Sequence, residues 1–354
     1  MQQAIEQLAA TIRDAAKQRR PLCIRGGGTR DFYGGVLRGH KLSTLDYHGI
    51  VAYEPTELVI TARAGTLLSE VEAALREKGQ MLAFEPPYFG PTATLGGCVA
   101  TGLSGPRRAY AGAVRDFVLG VRILDGKGDD LRFGGQVMKN VAGYDVSRLM
   151  AGSLGTLGVL LEISLKVLPL PASETTLLLK CGEAEAISLM NKWAAQPLPI
   201  TATAYRDGDL GVRLSGARVA VDAAVVKVGG APVASAQAIR FWTGIREHTD
   251  PFFAGNGPLW RLSVSSTTPP LDLPGQQLIE WGGALRWLKS AADAKTIQDA
   301  AARSGGHATL FRGGDKPGGV FQPLPPALMK LHRNLKQAFD PAGIFNPGRL
   351  YVDL

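Results

Sequence analysis

The sequence is poor in cysteine, with 3 in 354 residues. Cys23, Cys98 and Cys181 lie far apart, and no two of them form a C-x-x-C pair. Iron–sulfur clusters and structural zinc sites require closely spaced thiolates, and a disulfide framework requires a set of paired cysteines. We therefore expect no metal site, no iron–sulfur cluster and no disulfide framework in this chain.

Long hydrophobic runs are also lacking. The most apolar stretch, residues 149–161, is rich in glycine and ends at Glu162, well short of the roughly 20 residues that a transmembrane helix needs. The first residues lack the basic start and apolar centre of a signal peptide. We expect no transmembrane segment and a cytoplasmic location, and attachment to the inner membrane through partner proteins is left open.

Aromatic residues are scarce, at 7%, and they do not interleave with the basic residues. The chain has 39 Lys and Arg against 31 Asp and Glu, a net charge of +8, but the basic residues are scattered. A nucleic-acid surface would cluster them. We expect no nucleic-acid partner, and we attribute the positive charge to an ordinary surface that also attracts an anionic cofactor or an acidic substrate.

Glycine, in contrast, is abundant, and three glycine-rich blocks occur early in the chain. They are residues 25–30 (Arg-Gly-Gly-Gly-Thr-Arg), residues 94–102 and residues 152–158. A backbone without Cβ atoms lets amide groups close around a phosphate or pyrophosphate, and the two arginines of the first block add positive charge. One such block is often only a turn. Three spaced blocks indicate one long cofactor that passes several backbone segments.

Hydrophobic periodicity predicts both helices and strands. We expect helices over residues 4–16, 67–78, 183–193 and 327–339, and strands over residues 22–24, 51–53, 58–62, 117–124, 159–168 and 175–180. Asp125-Gly126 is a hairpin signal. The pattern changes after Pro171, where the glycine blocks end. We therefore predict a first domain over 1–170, a second α+β domain over 171–322, and a C-terminal helix and tail over 323–354.

These residues resemble the PCMH-type FAD-binding family, also named after vanillyl-alcohol oxidase. Residues 25–30 are similar to its pyrophosphate loop, and residues 94–102 to its second flavin-contacting segment. Further matches, at residues 115–120, 125–126, 142–145, 155–158 and 339–349, are typical of the D-2-hydroxy-acid dehydrogenase branch. The resemblance implies an α+β fold: a PCMH-type FAD-binding domain of two α+β subdomains, a smaller α+β cap domain, and a C-terminal tail that returns to the FAD domain.

Within this branch, residues 133–145 and the overall length are similar to the FAD-binding E subunits of bacterial glycolate oxidases. That resemblance implies an FAD-binding subunit of an oxidoreductase complex. Its expected partners are a larger catalytic flavin subunit and an iron–sulfur subunit, and the complex would act on a small 2-hydroxy acid such as glycolate. No residue matches a covalent attachment motif, so we predict non-covalent FAD.

The predicted cofactor contacts follow from the blocks and the resemblance together. Amides of the first block and its arginines would hold the pyrophosphate, whereas hydroxyls and amides of the second block would reach ribityl or pyrophosphate oxygens. Glycines of the second block would let the backbone approach the flavin closely. Arg107 beside Arg108 could hold an anionic group or lie in a solvated loop. The predicted cofactor-binding residues are Arg25, Gly26, Gly27, Gly28, Thr29, Arg30, Thr94, Leu95, Gly96, Gly97, Thr101, Gly102, Arg107, Gly155 and Gly158.

The chain also departs from the branch. Catalytic members carry a metal-binding histidine motif near H-x-G-D-G-N-x-H in the second domain, whereas the candidate region 306–312 holds His307 alone, and His248 is similarly isolated. The carboxylate usual within G-S-E-G-T-L-G is Leu154 here. The sequence thus retains the cofactor cradle without recognisable substrate machinery, and the catalytic residues are unknown.

Two alternatives stay open at this point. One is a self-sufficient FAD-dependent 2-hydroxy acid dehydrogenase, in which Arg107, Arg108 or Arg312 would clamp an anionic substrate. The other is a non-catalytic scaffold subunit whose glycine blocks are a vestigial flavin site.

Overall fold

The computed structural model describes residues 2–135, 145–316 and 318–354 of the chain. Lys139, Asn140 and Tyr144, which belong to the segment that resembles the glycolate oxidase E subunits, lie outside the described residues. Within those ranges, every helix is too short or too polar to cross a membrane.

Residues 2–169 form a layered unit around an antiparallel sheet. Its elements are α1 (Gln2–Gln18), β1 (Leu22–Arg25), β2 (His40–Ser43), β3 (Ile50–Glu54), β4 (Val59–Arg63), α2 (Leu68–Glu77), β5 (Gln80–Met81), α3 (Leu95–Thr101), α4 (Arg108–Ala111), α5 (Val114–Phe117), β6 (Val118–Leu124), β7 (Asp130–Gly134), α6 (Val146–Met150), β8 (Val159–Lys166) and β9 (Leu168–Pro169). A five-stranded sheet has the order β3-β4-β8-β6-β7, while β1 and β2 form a separate parallel pair.

The apolar pattern of these elements explains how they pack. In α2, Leu68, Val71 and Leu75 recur at helical spacing and are buried. They join a core with the central strand β8, whose residues belong to two hydrophobic clusters, one with α2 (Leu160) and one with α1 (Leu161). Helix α3 lies in the same core, and its last residue precedes Gly102 in the left-handed conformation that ends the helix.

Residues 173–312 form a second layer around an eight-stranded antiparallel sheet. Its elements are β10 (Ser173–Lys180), α7 (Glu183–Ala194), β11 (Ile200–Arg206), β12 (Asp209–Gly216), α8 (Arg218–Val228), β13 (Ala231–Pro232), α9 (Ser235–Glu247), β14 (Leu259–Ser263), β15 (Gln276–Glu280), β16 (Leu285–Lys289), α10 (Ala294–Arg303) and β17 (His307–Arg312). The strand order is β13-β10-β12-β11-β15-β16-β14-β17. Side chains of β11 alternate, with Tyr205 in the cluster of α7 and α8 and Ala204 in the cluster of α9, so helices cover both faces.

The chain then returns to its beginning. After α11 (Pro326–Phe339), the tail runs beside β1, where the Leu22 amide donates to the Ile344 carbonyl (2.7 Å) and the Asn346 amide donates to the Leu22 carbonyl (2.9 Å). Phe345 forms a parallel bridge with Leu22, so the tail extends the β1–β2 pair. The predicted α+β fold class is confirmed, and the C-terminal tail meets the first glycine block.

Candidate cofactor site

A cleft of about 710 Å³, partly open to solvent, lies where β1, α3, the turn before β8 and the C-terminal tail meet. All three glycine blocks contribute to its walls. The predicted residues that line it are Arg25, Gly26, Gly27, Gly28, Thr29, Arg30, Thr94, Gly96, Gly97, Thr101, Gly155 and Gly158. Residues far apart in sequence therefore converge on one space, as three blocks around one cofactor require.

The first glycine block presents unused backbone donors to this cleft. Strand β1 ends at Arg25, and the amides of residues 26–30 donate to no protein acceptor in the described part of the chain. Buried or half-buried amides normally have a partner. A run of such amides that points into a cleft is a nest for an anion, and a phosphate oxygen is the kind of acceptor it fits.

Arg30 adds a positive charge that forms no ion pair among the described residues, and Glu247 is the carboxylate whose field favours its charged form. Its side chain is 6% exposed, it donates to the Pro87 carbonyl, and its Nε has no partner in the described structure. Burial lowers the pKa of Arg30 below its ordinary value. Arg25, in contrast, is half-exposed and pairs with Asp31. An unpaired buried guanidinium beside free amides indicates a site that needs an anionic ligand.

The glycines of the cleft are required mainly by the protein's own packing. A Cβ on Gly27 would overlap the carbonyl oxygen of Thr92, and a Cβ on Gly96 would lie 2.7 Å from the Cβ of Ala64. The missing Cβ atoms thus allow the first block to contact the second block, and α3 to contact β4. The sequence predicts that the glycines of the second block let the backbone approach the flavin. For Gly96 the structure shows a different role, because its missing Cβ lets α3 pack against β4.

The second block offers fewer free donors than its sequence indicates. The Gly96 amide donates to the Ala64 carbonyl (2.8 Å), and the Gly97 amide donates to Thr94 Oγ1 (3.2 Å), which caps α3. Thr101 Oγ1 donates to the Gly97 carbonyl (2.8 Å). Both glycine amides that we assigned to cofactor oxygens are therefore used inside the protein. The hydroxyl oxygens of the two threonines can still accept hydrogen bonds.

Three predicted residues lie outside the cleft. Leu95 is fully buried in the core, because it sits on the inner side of α3. Gly102 lines a neighbouring cavity of about 650 Å³ rather than the cleft. Arg107 is buried in an ion-pair network, with Nε 3.4 Å from Glu85 Oε1 and Nη2 3.1 Å from Glu174 Oε2. Its charge is neutralised by these carboxylates, so neither a solvated loop nor a free anion clamp describes it.

Two residues of the tail complete the cleft and were absent from the predicted set. Asn346 is buried, with Nδ2 donating to the Leu154 carbonyl (2.6 Å) and Oδ1 accepting from the Ile24 amide (2.7 Å). Arg349 donates to the carbonyls of Tyr33 and Gly35. Both line the cleft. The resemblance of residues 339–349 to the family's C terminus was the available signal, but it did not show where the tail packs.

The face of the eight-stranded sheet towards residues 103–106 holds a smaller cavity, of about 310 Å³. His248, Arg261 and Glu280 line it. Glu280 Oε1 and His248 Nδ1 have no hydrogen-bond partner in the described structure. Burial raises the pKa of Glu280 to about 7 and lowers that of His248 well below its ordinary value. The cavity therefore holds an acid and an imidazole that both favour their neutral forms.

The β15–β16 hairpin shares only the spacing and one glycine with the histidine motif H-x-G-D-G-N-x-H. Glu280 and Trp287 stand at the spacing of the two outer histidines in H-x-G-D-G-N-x-H, and Gly282 occupies the position of its first glycine. Trp287 Nε1 donates to Glu280 Oε2 (2.7 Å), so a direct hydrogen bond links the two positions. His307 instead begins β17, where its side chain is exposed at the strand end.

The other proposed clamp residues face aromatic rings. Arg108 lies 4.3 Å from the ring centre of Trp281, and Arg312 lies 4.5 Å from that of Phe32. Burial, together with Arg261 and Arg115, lowers the pKa of Arg108 to about 10. Arg108 lines the same neighbouring cavity as Gly102, whereas Arg312 lines a separate open groove. The three alternative candidates for an anion clamp, Arg107, Arg108 and Arg312, thus lie in three different environments.

Comparison with known proteins agrees with this geometry. The model of the family described as "FAD binding domain" matches residues 3–134, and that of "FAD linked oxidases, C-terminal domain" matches residues 321–350. The glycolate oxidase subunit GlcE of Escherichia coli strain K12 is 52% identical over 347 residues, which are 98% of this chain and 97% of that protein. The glycolate oxidase subunit GlcD of Bacillus subtilis strain 168 is 31% identical over 176 residues, 49% of this chain and 37% of that protein.

A solved structure of alkyldihydroxyacetonephosphate synthase shares the fold, with a TM-score of 0.68 at 16% identity, over 97% of this chain and 75% of that one. The chain therefore belongs to the family of FAD-linked oxidases with a PCMH-type FAD-binding domain, as a relative of the glycolate oxidase subunit GlcE, and its cofactor is FAD.

Proposed function

We propose that this chain is the FAD-binding subunit of a glycolate, or more broadly D-2-hydroxy-acid, oxidase or dehydrogenase complex. The partners in this proposal are a larger catalytic flavin subunit and an iron–sulfur subunit. The chain associates with the cytoplasmic face of the inner membrane through these partners. Residues 1–170 form the FAD-binding domain, residues 171–322 the cap, and residues 323–354 a tail that packs on the FAD domain.

One observation carries the proposal: the amides of residues 26–30, which have no acceptor among the described residues, and Arg30, which forms no ion pair there, belong to residues that line the same cleft. This donor set fits a pyrophosphate, which carries about two negative charges and several acceptor oxygens. We assign the pyrophosphate to the amides of residues 26–30 with Arg30, and we assign other FAD oxygens to Thr94, Thr101 and Arg349. Bound FAD supplies hydride and electron transfer, whereas the protein supplies binding and orientation.

The eight-stranded sheet supports a role in relay rather than in substrate oxidation. The β15–β16 hairpin, in which Glu280 and Trp287 bond to each other, contains no histidine. The cleft therefore retains the groups for FAD, while the hairpin lacks the groups for a metal-bound hydroxy acid. In the complex, the flavin partner would oxidise the substrate and this chain's FAD would support the onward passage of electrons.

The first experiment is the absorbance spectrum of the purified chain before and after FAD is added and excess removed. We expect a yellow protein with one FAD per chain, released on denaturation because the attachment is non-covalent. Glycolate should leave this flavin oxidised in the isolated chain and reduce it in the reconstituted complex. A folded, colourless protein would favour the scaffold alternative. Turnover of glycolate by the isolated chain at the rate of the complex would favour the self-sufficient dehydrogenase.

A further inference from the structure

The C-terminal tail holds the cofactor cleft together through a buried charge pair that does not itself line the cleft. Lys336 on α11 and Asp340 just after it are both buried, and their side chains pair at 2.7 Å. Lys336 Nζ also donates to the carbonyls of Thr156 (2.9 Å) and Phe345 (2.7 Å). All three ammonium donors are therefore used, and one of them reaches the turn of the third glycine block.

Asp340 fixes the next part of the tail. Its carboxylate accepts from the amides of Ile344 (3.1 Å) and Phe345 (2.7 Å) as well as from Lys336. A carboxylate that bonds two backbone amides and one ammonium closes the 340–345 turn in one conformation. This turn places Asn346 directly beside the cleft.

Asn346 then joins two walls that are distant in sequence. Its amide group links the Ile24 amide, next to the first block, to the Leu154 carbonyl, within the third block. Arg349 bonds the carbonyls of Asp31, Tyr33 and Gly35, which follow the first block. These contacts connect residues 24–35 with the turn of residues 154–158 through the tail.

From these contacts we infer that the tail is a clasp for FAD, and that Lys336 and Asp340 are positioning residues for cofactor binding. They act through Asn346 and Arg349 rather than by touching the cofactor. Tail docking and FAD binding then stabilise each other, since coupling between two binding events is reciprocal. The inference rests on the proposed FAD-binding function of the cleft.

The test measures FAD affinity and backbone hydrogen exchange in the full chain. In the wild type, we expect saturating FAD to slow exchange in the 341–350 tail and the 154–158 turn, with no change in the distant β11–β12 hairpin. Lys336→Met keeps the aliphatic stem and removes the ammonium donors. We expect it to raise the Kd for FAD at least tenfold and to abolish the FAD-dependent protection of the tail.

Two controls separate positioning from general destabilisation. Lys295→Met removes a lysine with the same spacing to its aspartate, Asp299, but on the exposed surface of α10, and should leave the Kd unchanged. Arg286→Met removes a buried cation of the eight-stranded sheet, bonded to the Gly283 and Thr268 carbonyls, and should lower stability without changing the Kd more than twofold.

The wild-type exchange measurement decides the question even if Lys336→Met fails to fold. Unchanged exchange of the tail at saturating FAD would overturn the clasp, as would a folded Lys336→Met variant whose Kd lies within twofold of the wild type. In both of these outcomes the wild type still binds FAD, so the proposed function stands. A wild type that binds no FAD removes the proposed function and the clasp together.

Discussion

Buried arginines occur in two regions of this protein, and they differ in whether a carboxylate lies at ion-pair distance. At the junction between the two layers, Glu85 and Glu174 pair with Arg107 and Arg213, and Arg213 Nη2 lies 2.8 Å from Glu85 Oε1. In the cleft, Arg30 is equally buried and forms no ion pair in the described structure. A buried charge is tolerated when it is paired. The charges of the junction are therefore paired within the protein, whereas Arg30 has no carboxylate at ion-pair distance in the described structure and can accept an anionic ligand.

The lowered pKa of Glu85 shows that the arginines of the junction compensate its charge. Burial alone would raise its pKa, but Arg213 and Arg107 hold the pKa of this carboxyl below its ordinary value. Glu85 also accepts from the Arg107 amide at 2.8 Å. Because Glu85 and Arg107 belong to the first layer and Arg213 to the second, this network fixes the two layers against each other.

Breaking the junction should have the largest effect. Glu85→Gln leaves two guanidinium groups buried with less negative charge, and we expect it to lower the free energy of unfolding by about 3–5 kcal/mol. Denaturant unfolding of the FAD-free chain measures this. Asp209→Asn is the control, because it removes an exposed partner of Lys180 and should cost about 0–1 kcal/mol. A loss below 1 kcal/mol for Glu85→Gln would contradict the comparison.

A single substitution can distort the shape of the cleft without changing any charge. In Gly27→Ala, the new Cβ meets the Thr92 carbonyl, so the first block must shift away from the second. Overpacking of this kind costs about 1–3 kcal/mol, and we expect FAD affinity to fall about 10-fold to 100-fold. Fluorescence titration of FAD measures it. Gly182→Ala, where a Cβ meets nothing within 4 Å, should bind as the wild type does.

Removing the charge of Arg30 sharpens the comparison. Loss of this charge should not lower the stability of the FAD-free protein, whereas loss of the Glu85 charge at the junction should. Arg30→Met should weaken FAD binding about 10-fold, since a hydrogen bond to a charged group contributes about 1.5–3 kcal/mol. The FAD-free variant should be at least as stable as the wild type, because an uncompensated buried cation is lost. Arg38→Met, an exposed neighbour in sequence, controls for net charge. Strong destabilisation of FAD-free Arg30→Met would show that its charge is neutralised within the protein.

The same comparison explains what could be predicted from the sequence. The Gly-Gly-Gly run between Arg25 and Arg30 forms its anion nest from neighbouring residues, so the sequence alone can predict it. The structure places this block on one cleft with the other two glycine blocks. Arg107 looked equally suited to an anion, but its partners Glu85 and Glu174 are separated from it by 22 and 67 positions. Local sequence shows a charge, and only the fold shows whether another residue neutralises it.

Long-range contacts also explain why the two tail residues of the site, Asn346 and Arg349, were not predicted from the sequence. Asn346 bonds Ile24 across 322 positions, and nothing in the local pattern of a turn-rich tail predicts that contact. The contact between Glu280 and Trp287 was not predicted either, because their hydrogen bond joins two strands and no local pattern marks it. Helices and strands were easier to predict, because a periodic apolar face depends on neighbouring residues alone, as in α2.

Glu280 extends the comparison to a buried acid, and its effect should depend on pH. Its side chain is 3% exposed, and burial raises its pKa from 4.5 to about 7, although the Trp287 hydrogen bond and Arg261 act in the opposite direction. The folded state therefore binds a proton more tightly than the unfolded state. The stabilisation from this proton is fully present below pH 4.5 and is lost as the pH rises to about 7.

In Glu280→Gln the side chain stays neutral, so the variant should gain stability relative to the wild type across this interval, by about 1–3 kcal/mol. Unfolding of both proteins at pH 5 and pH 8 measures the difference, and equal pH dependence would mean that Glu280 is ionised and paired like Glu85.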